Sequence, residues 1–182
     1  MNIIQCEIKG LLIIEPKVFG DARGFFLETY NERRYRDAGL EVTFVQDNLS
    51  FSRRGTLRGL HVQNPNPQGK LLQVLQGEVF DVAVDLRRSS PTFGRSHSLV
   101  LSAENKKQFY VPPGFAHGFL VLSESALFSY KCTEFYSPKD ETTLRWDDPD
   151  AAVRWPNREP LLSEKDAKGF FLQNLPADKL FK

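Results

Sequence analysis

The chain has 182 residues, of which 24 are Lys or Arg and 23 Asp or Glu, for a formal charge of +1. Such a balance gives no bulk electrostatic pull towards nucleic acid or an anionic membrane, so any anion site has to be local and built from a few side chains. No apolar run matches a membrane span or a signal peptide, no linker-like stretch divides the chain, and Cys6 and Cys132 have neither CxxC nor zinc spacing; a soluble, cytoplasmic protein with one domain over residues 1–182 and free thiols is expected.

From the N-terminus, LLIIEPKV reads as a strand, and FGDARGFFLE then sets charged residues and glycines among aromatics. NERRYRDAG reads as a short helix stopped by Gly39. In the strand TFVQDNLSF, Gln46 and Asn48 are two apart and share a face. Strict alternation in TLRGLHVQ puts Leu57, Gly59, His61 and Gln63 on one face and Arg58, Leu60 and Val62 on the other. KLLQVLQ runs to a turn at Gln76-Gly77-Glu78, after which VFDVAVDL sets Phe80, Val82, Val84 and Leu86 against a more polar face of Val79, Asp81, Ala83 and Asp85. SHSLVLS, KQFYVP, HGFLVLS and ALFSYKCTEFY continue the series, with Pro112-Pro113-Gly114 as a further turn. SEKDAKG is a second short helix, with Ser163 as its cap and Asp166 at the reciprocal position. Short strands at this spacing predict an all-β fold, a sandwich or barrel with a few short helices.

Small jelly-roll barrels often carry a metal held by a histidine pair, a glutamate and a distant third histidine. That spacing is partly present. Gly55 and His61 are in place, but Gln63 stands where the second histidine would be and Lys70 where the glutamate would be; Pro112, Gly114 and His117 repeat the later part of the pattern. A lysine in place of an anionic ligand is at odds with a divalent ion, so the pattern reads as a cupin-like barrel that has lost its metal and kept its cavity. In such a cavity His61 suits a general base, with Asp166 as its candidate carboxylate partner, and Lys70 suits an oxyanion. Tyr130 shares a strand face with Phe128 and Cys132; from spacing alone packing explains it better than proton donation. Arg23 and Arg58, with Lys165 or Lys168, could clamp a diphosphate. Phe19, Phe25 and Phe26 could stack on a base, and Gln46 and Asn48 could read a polar edge, although core packing and solvated surface explain most of these residues equally well.

Taken together, VFGDARGFFLETYN, VQDNLS, TLRGLHVQ, QGKL, GEVFDVAVDLRRSSPTFG, LSAENKKQ, VPPGFAHGF, YKCTEFYSP and LSEKDA closely resemble the dTDP-4-dehydrorhamnose 3,5-epimerases, in order and over nearly the whole chain. The resemblance implies a homodimeric cupin-like jelly roll that needs neither metal nor other cofactor and works on a dTDP-4-keto-6-deoxyhexose. It implies His61 as the base, Asp166 as its carboxylate, Tyr130 as the acid on the opposite sugar face and Lys70 beside the enolate oxygen. It further implies that Arg23, Glu28, Gln46, Asn48, Arg58, His117, Glu141 and Lys165 bind the nucleotide sugar or support the site, some of them across the dimer interface. Alternation sends Arg58 away from His61, so either a bulge near Gly59 turns it back or it serves a partner's cavity. A single-carbon epimerase, a metal-dependent cupin enzyme and a non-catalytic sugar-binding jelly roll are the competing readings.

Overall fold

In a computed structural model, residues 1–182 form thirteen strands and two short α-helices. The strands are β1 (Asn2–Gln5), β2 (Leu12–Glu15), β3 (Val18–Asp21), β4 (Gly24–Leu27), β5 (Gln46–Arg53), β6 (Leu57–Gln63) and β7 (Lys70–Gln76). They continue with β8 (Glu78–Asp85), β9 (Ser96–Ser102), β10 (Gln108–Val111), β11 (Phe115–Val121), β12 (Ser125–Cys132) and β13 (Glu141–Thr143), and the helices are α1 (Glu32–Asp37) and α2 (Glu164–Ala167). A six-stranded sheet in the order β1-β2-β10-β7-β12-β5 faces a five-stranded sheet in the order β13-β6-β11-β8-β9. All pairings within both are antiparallel, the arrangement of a jelly roll.

Three buried clusters hold the layers. Between the sheets, Leu72, Phe109 and Phe128 from one side meet Val79, Phe115 and Phe119 from the other. The outer face of the five-stranded sheet is also buried, because the C-terminal segment lays Trp155, Leu172 and Leu175 over Leu60, Val82 and Val84. That explains why β8 is apolar on both faces: Phe80, Val82 and Val84 pack under the C-terminal segment, and the face carrying Asp81 looks inward between the sheets. On the other sheet α1 covers Ile14, Leu71 and Tyr110 with Tyr35. Asn31 caps this helix, its side chain accepting from the Arg34 N–H at 3.2 Å, and Gly39 follows at φ +94°, a conformation that favours glycine.

Element boundaries differ from the sequence reading where the backbone is interrupted. LLIIEPKV is two strands in different sheets, divided at Pro16, which has no N–H to give a ladder. ALFSYKCTEFY stays extended only to Cys132; beyond it the Gln63 amide takes the Phe135 carbonyl at 3.0 Å and the Ser137 N–H at 2.9 Å, folding the chain out of the sheet. FGDARGFFLE lies within an exposed hairpin, β3–β4, with Arg23 at its tip. Phe25 and Phe26 on it are 62% and 69% exposed, and Leu49, Phe51 and Leu75 on β5 and β7 are exposed as well.

One polar cluster outside the cavity matters for stability. The fully buried Asp85 carboxylate accepts from Arg87 Nε at 2.8 Å, Ser90 Oγ at 2.6 Å and Thr92 Oγ1 at 2.7 Å. Burial alone would raise this carboxyl, but the Arg87, Ser90 and Thr92 hydrogen bonds outweigh it and hold the group below its ordinary range. Asp85→Ala is expected to cost about 2–4 kcal/mol, read from the urea midpoint, because it strands those donors. A depressed carboxyl contributes fully above the unfolded value of about 3.9 and loses its contribution as pH falls through the lower folded value. The difference between Asp85→Ala and the parent should therefore shrink in acid.

Candidate active site

The local backbone of β6 decides which side chains face the interior. Arg58 pairs with Phe119 and His61 with His117, so Gly59 and Leu60 together oppose Gly118: a bulge. A Cβ at Gly59 would come within 2.6 Å of the His117 carbonyl oxygen, so only glycine fits this approach. The extra residue resets the alternation. Leu57, Leu60 and Val62 pack outward, and Arg58 and His61, three apart, both line the cavity between the sheets. Strict alternation is thus corrected in both directions: Leu57 lies opposite His61, and Arg58 lies with it.

The cavity has a volume of about 370 Å³. On the five-stranded side His61 Nε2 lies 2.6 Å from Asp166 Oδ1. The helix cap built by Ser163 holds that carboxylate: Ser163 Oγ accepts from the Asp166 N–H at 3.1 Å, and its hydroxyl donates to Asp166 Oδ2 at 2.8 Å. The other ring nitrogen, Nδ1, is 3.6 Å from Glu141 Oε1. Lys165 and the Tyr136 hydroxyl donate to Glu141 Oε2. Burial would raise both carboxyls, but for Asp166 the His61, Ser163 and Lys165 partners, and for Glu141 the Lys165, His61 and Tyr136 partners, bring them below the ordinary carboxylate range. Asp166 therefore stays ionised, can only accept, and places the ring proton on Nε2 and the lone pair on Nδ1. A second pair lies deeper, where His117 Nε2 is 2.9 Å from Asp81 Oδ1. Burial pushes the Asp81 carboxyl up against the lowering pull of His117 and Lys70.

The opposite wall belongs to the six-stranded sheet. Gln46 and Asn48 face inward from β5, their amides joined by a 3.0 Å hydrogen bond, and Asn48 sits directly across the ladder from Tyr130. Burial raises the Tyr130 phenol, with Cys132 and Glu141 adding to the shift and Arg58 opposing it, so the group keeps its proton. Lys70 is pulled down by burial, against the raising effect of Cys132, Glu141 and Asp81, which makes its ammonium a readier proton donor. Phe119 and Phe128 stack at 4.3 Å between centroids and form an apolar wall. No three His, Cys, Asp or Glu side chains converge on one point as a metal site would need, and Gln63 is committed to the Phe135–Ser137 loop.

Of the residues singled out in the sequence, His61, Lys70, Gln46, Asn48, Arg58, His117, Tyr130, Glu141 and Lys165 line one cavity, and Asp166 stands behind His61. Arg23 and Glu28 do not join them. The Arg23 side chain is 90% exposed and paired with Asp21, and Glu28 pairs with Arg34 at 3.3 Å. Lys168 pairs with Glu164 outside the cavity, and Phe19, Phe25 and Phe26 lie on the hairpin. Five lining residues were missed: Ser50, Gln68, Phe119, Phe128 and Tyr136. The parity of Gln46 and Asn48 extends to Ser50 and that of Tyr130 to Phe128, so these two were open to discovery; Gln68 and Tyr136 lie in loops where no periodicity points.

A jelly-roll cavity that sets an imidazole–carboxylate pair across from a half-buried phenol, with a lysine beside them, is equipped for the work of an isomerase that moves protons by acid–base chemistry without altering the carbon skeleton. The family model for dTDP-4-dehydrorhamnose 3,5-epimerase matches residues 5–174. The chain is 55% identical over 171 residues to the dTDP-4-dehydrorhamnose 3,5-epimerase of Shigella flexneri, covering 93% of this chain and 94% of that one. The structure of dTDP-6-deoxy-D-glucose-3,5-epimerase RmlC from Legionella pneumophila in complex with dTDP-4-keto-L-rhamnose superposes with a TM-score of 0.96 at 51% identity, over 100% of this chain and 97% of that one. ChmJ, a 3'-monoepimerase from Streptomyces bikiniensis crystallised with dTDP-quinovose, is more distant, at 35% identity and a TM-score of 0.87 over 93% and 87% of the two chains. The chain belongs to the dTDP-4-dehydrorhamnose 3,5-epimerase family.

Proposed function

We propose that the chain epimerises dTDP-4-dehydro-6-deoxy-D-glucose at C3 and C5, giving dTDP-4-dehydro-L-rhamnose for dTDP-L-rhamnose synthesis. The observation that carries this reading is that His61 with Asp166 and Tyr130 stand on opposite sheets of one cavity. Hydrogens on the carbons flanking a ketone are acidic because the electron pair left behind delocalises onto the carbonyl oxygen. His61 Nδ1 takes one such proton, and Glu141 and Asp166 stabilise the imidazolium. Lys70 hydrogen-bonds the enolate oxygen. As the enolate collapses back to the ketone, its carbon takes a proton from the Tyr130 hydroxyl on the other face, inverting that centre. Solvent then returns a proton to the phenolate and removes one from the imidazolium, resetting the site.

Arg58, which gives Nε to Ser52 at 3.0 Å, keeps its terminal NH2 groups for diphosphate oxygens, and the half-exposed Tyr136 ring at the mouth offers a face to the thymine. The enzyme works as a cytoplasmic homodimer. Its exposed apolar hairpin and the exposed Leu49, Phe51 and Leu75 supply the surface for pairing, and the hairpin carries Arg23 and the Glu28 that follows it into the partner's cavity. No helix is long and apolar enough to cross a membrane.

Incubation with the 4-keto sugar nucleotide in deuterium oxide tests the reading. Deuterium at both C3 and C5 of the product is expected. Label at one carbon alone would replace it with a single-carbon epimerase, as ChmJ is.

A further inference from the structure

Gln68 borders the cavity from the loop between β6 and β7 and has no part in the chemistry above. Its Nε2 donates to the Glu134 carbonyl at 2.8 Å. A carbonyl oxygen can only accept, so this bond fixes which end of the amide is which: the NH2 is committed to the loop, and Oε1 is a bare acceptor. The loop itself is tied down, since the Gly69 N–H donates to Thr133 Oγ1 at 2.7 Å and the Thr133 N–H to the Gly69 carbonyl at 2.9 Å. These ties join Gln68 to the stretch of chain that ends, two residues beyond Glu134, at the exposed ring of Tyr136.

Two polar side chains that bond Tyr136, those of Gln46 and Glu141, are already engaged. Gln46 Oε1 takes the Tyr136 N–H at 2.9 Å, and Gln46 Nε2 goes to Asn48. Glu141 is held by Lys165 and Tyr136. Gln68 Oε1 is left as a neutral, oriented acceptor in the cavity that Tyr136 also lines. The pairing edge of thymine presents an N3–H donor between two carbonyls, whereas cytosine presents a bare N3 lone pair there. A fixed amide oxygen hydrogen-bonds the first and finds no donor at that position on the second.

We propose that Gln68 is a base-specificity residue whose Oε1 accepts the thymine N3–H of the bound nucleotide. The proposal rests on the nucleotide-sugar reading of this cavity and adds what distinguishes the base.

Calorimetric titration of the parent protein, Gln68→Ala and Gln68→Met with dTDP and with dCDP tests it, with deuterium exchange into the keto sugar scored separately on the parent. The parent should prefer dTDP. Both variants should lose about tenfold in dTDP affinity and keep dCDP affinity within about twofold, so that the preference collapses. Gln68→Met keeps the length of the side chain, so a loss shared by both variants is not the result of a void. Equal weakening of both nucleotides, unchanged dTDP affinity in the variants, or no preference in the parent would overturn the proposal. An intact thymine preference that collapses as expected, in a protein that exchanges no proton, would count against the epimerase and leave the role of Gln68 standing.

Discussion

His61→Ala should reduce epimerisation about 10³-fold while dTDP affinity stays within about threefold. Of the two imidazoles in the cavity, His61 is the more open, and a carboxylate 2.6 Å from Nε2 leaves its Nδ1 lone pair available, whereas His117 is buried against Asp81. Glu141 is tied to Lys165 and Tyr136 and is a far weaker base. Removing the ring leaves Arg58, Gln46 and Tyr136 untouched on the walls, which is why nucleotide binding should survive. Proton NMR in deuterium oxide reads both quantities: loss of the C3 and C5 signals follows exchange, and line broadening of dTDP follows binding. Parent-like exchange in His61→Ala would remove this residue from the mechanism.

Tyr130→Phe should reduce inversion about 10²-fold and, unlike His61→Ala, leave deuterium entering the unepimerised substrate. The phenylalanine ring keeps the packing of Tyr130 against Phe128, 6.0 Å away between centroids, so the cavity wall stands. His61 can still remove a proton, exchange it with solvent and return a deuteron to the same face. The outcome separates donor from base: label without inversion assigns the second face to Tyr130, and full inversion in Tyr130→Phe would assign it to another group. Because burial raises the phenol, it remains protonated across the neutral range in which a histidine base is free to act.

The all-β architecture was legible in the sequence because eight-residue strands such as β5 alternate in burial and the strand signals recur at short, turn-bounded intervals. The site was legible in part for the same reason, since Gln46 with Asn48 and Phe128 with Tyr130 keep their shared faces. Parity failed at Arg58 because a bulge is an extra residue, and counting by twos cannot see it; Gly59 was the visible sign, and its meaning appears only with Gly118 packed against it. The three-residue β13 is too short for any period, so Glu141 came from the family resemblance alone. Arg23 and Glu28 stand away from the cavity because the exposed β3–β4 hairpin carries Arg23 at its tip and Glu28 just past its end.

The cover over the five-stranded sheet has a consequence for how the protein comes to life. All thirteen strands precede residue 144, whereas Asp166 and Lys165 arrive on α2, within the wrapping segment. On a ribosome every strand has been synthesised before the partner of His61 is added. A chain stopped before α2 would be, at best, a sleeve with its imidazole unoriented and its outer Leu60, Val82 and Val84 bare.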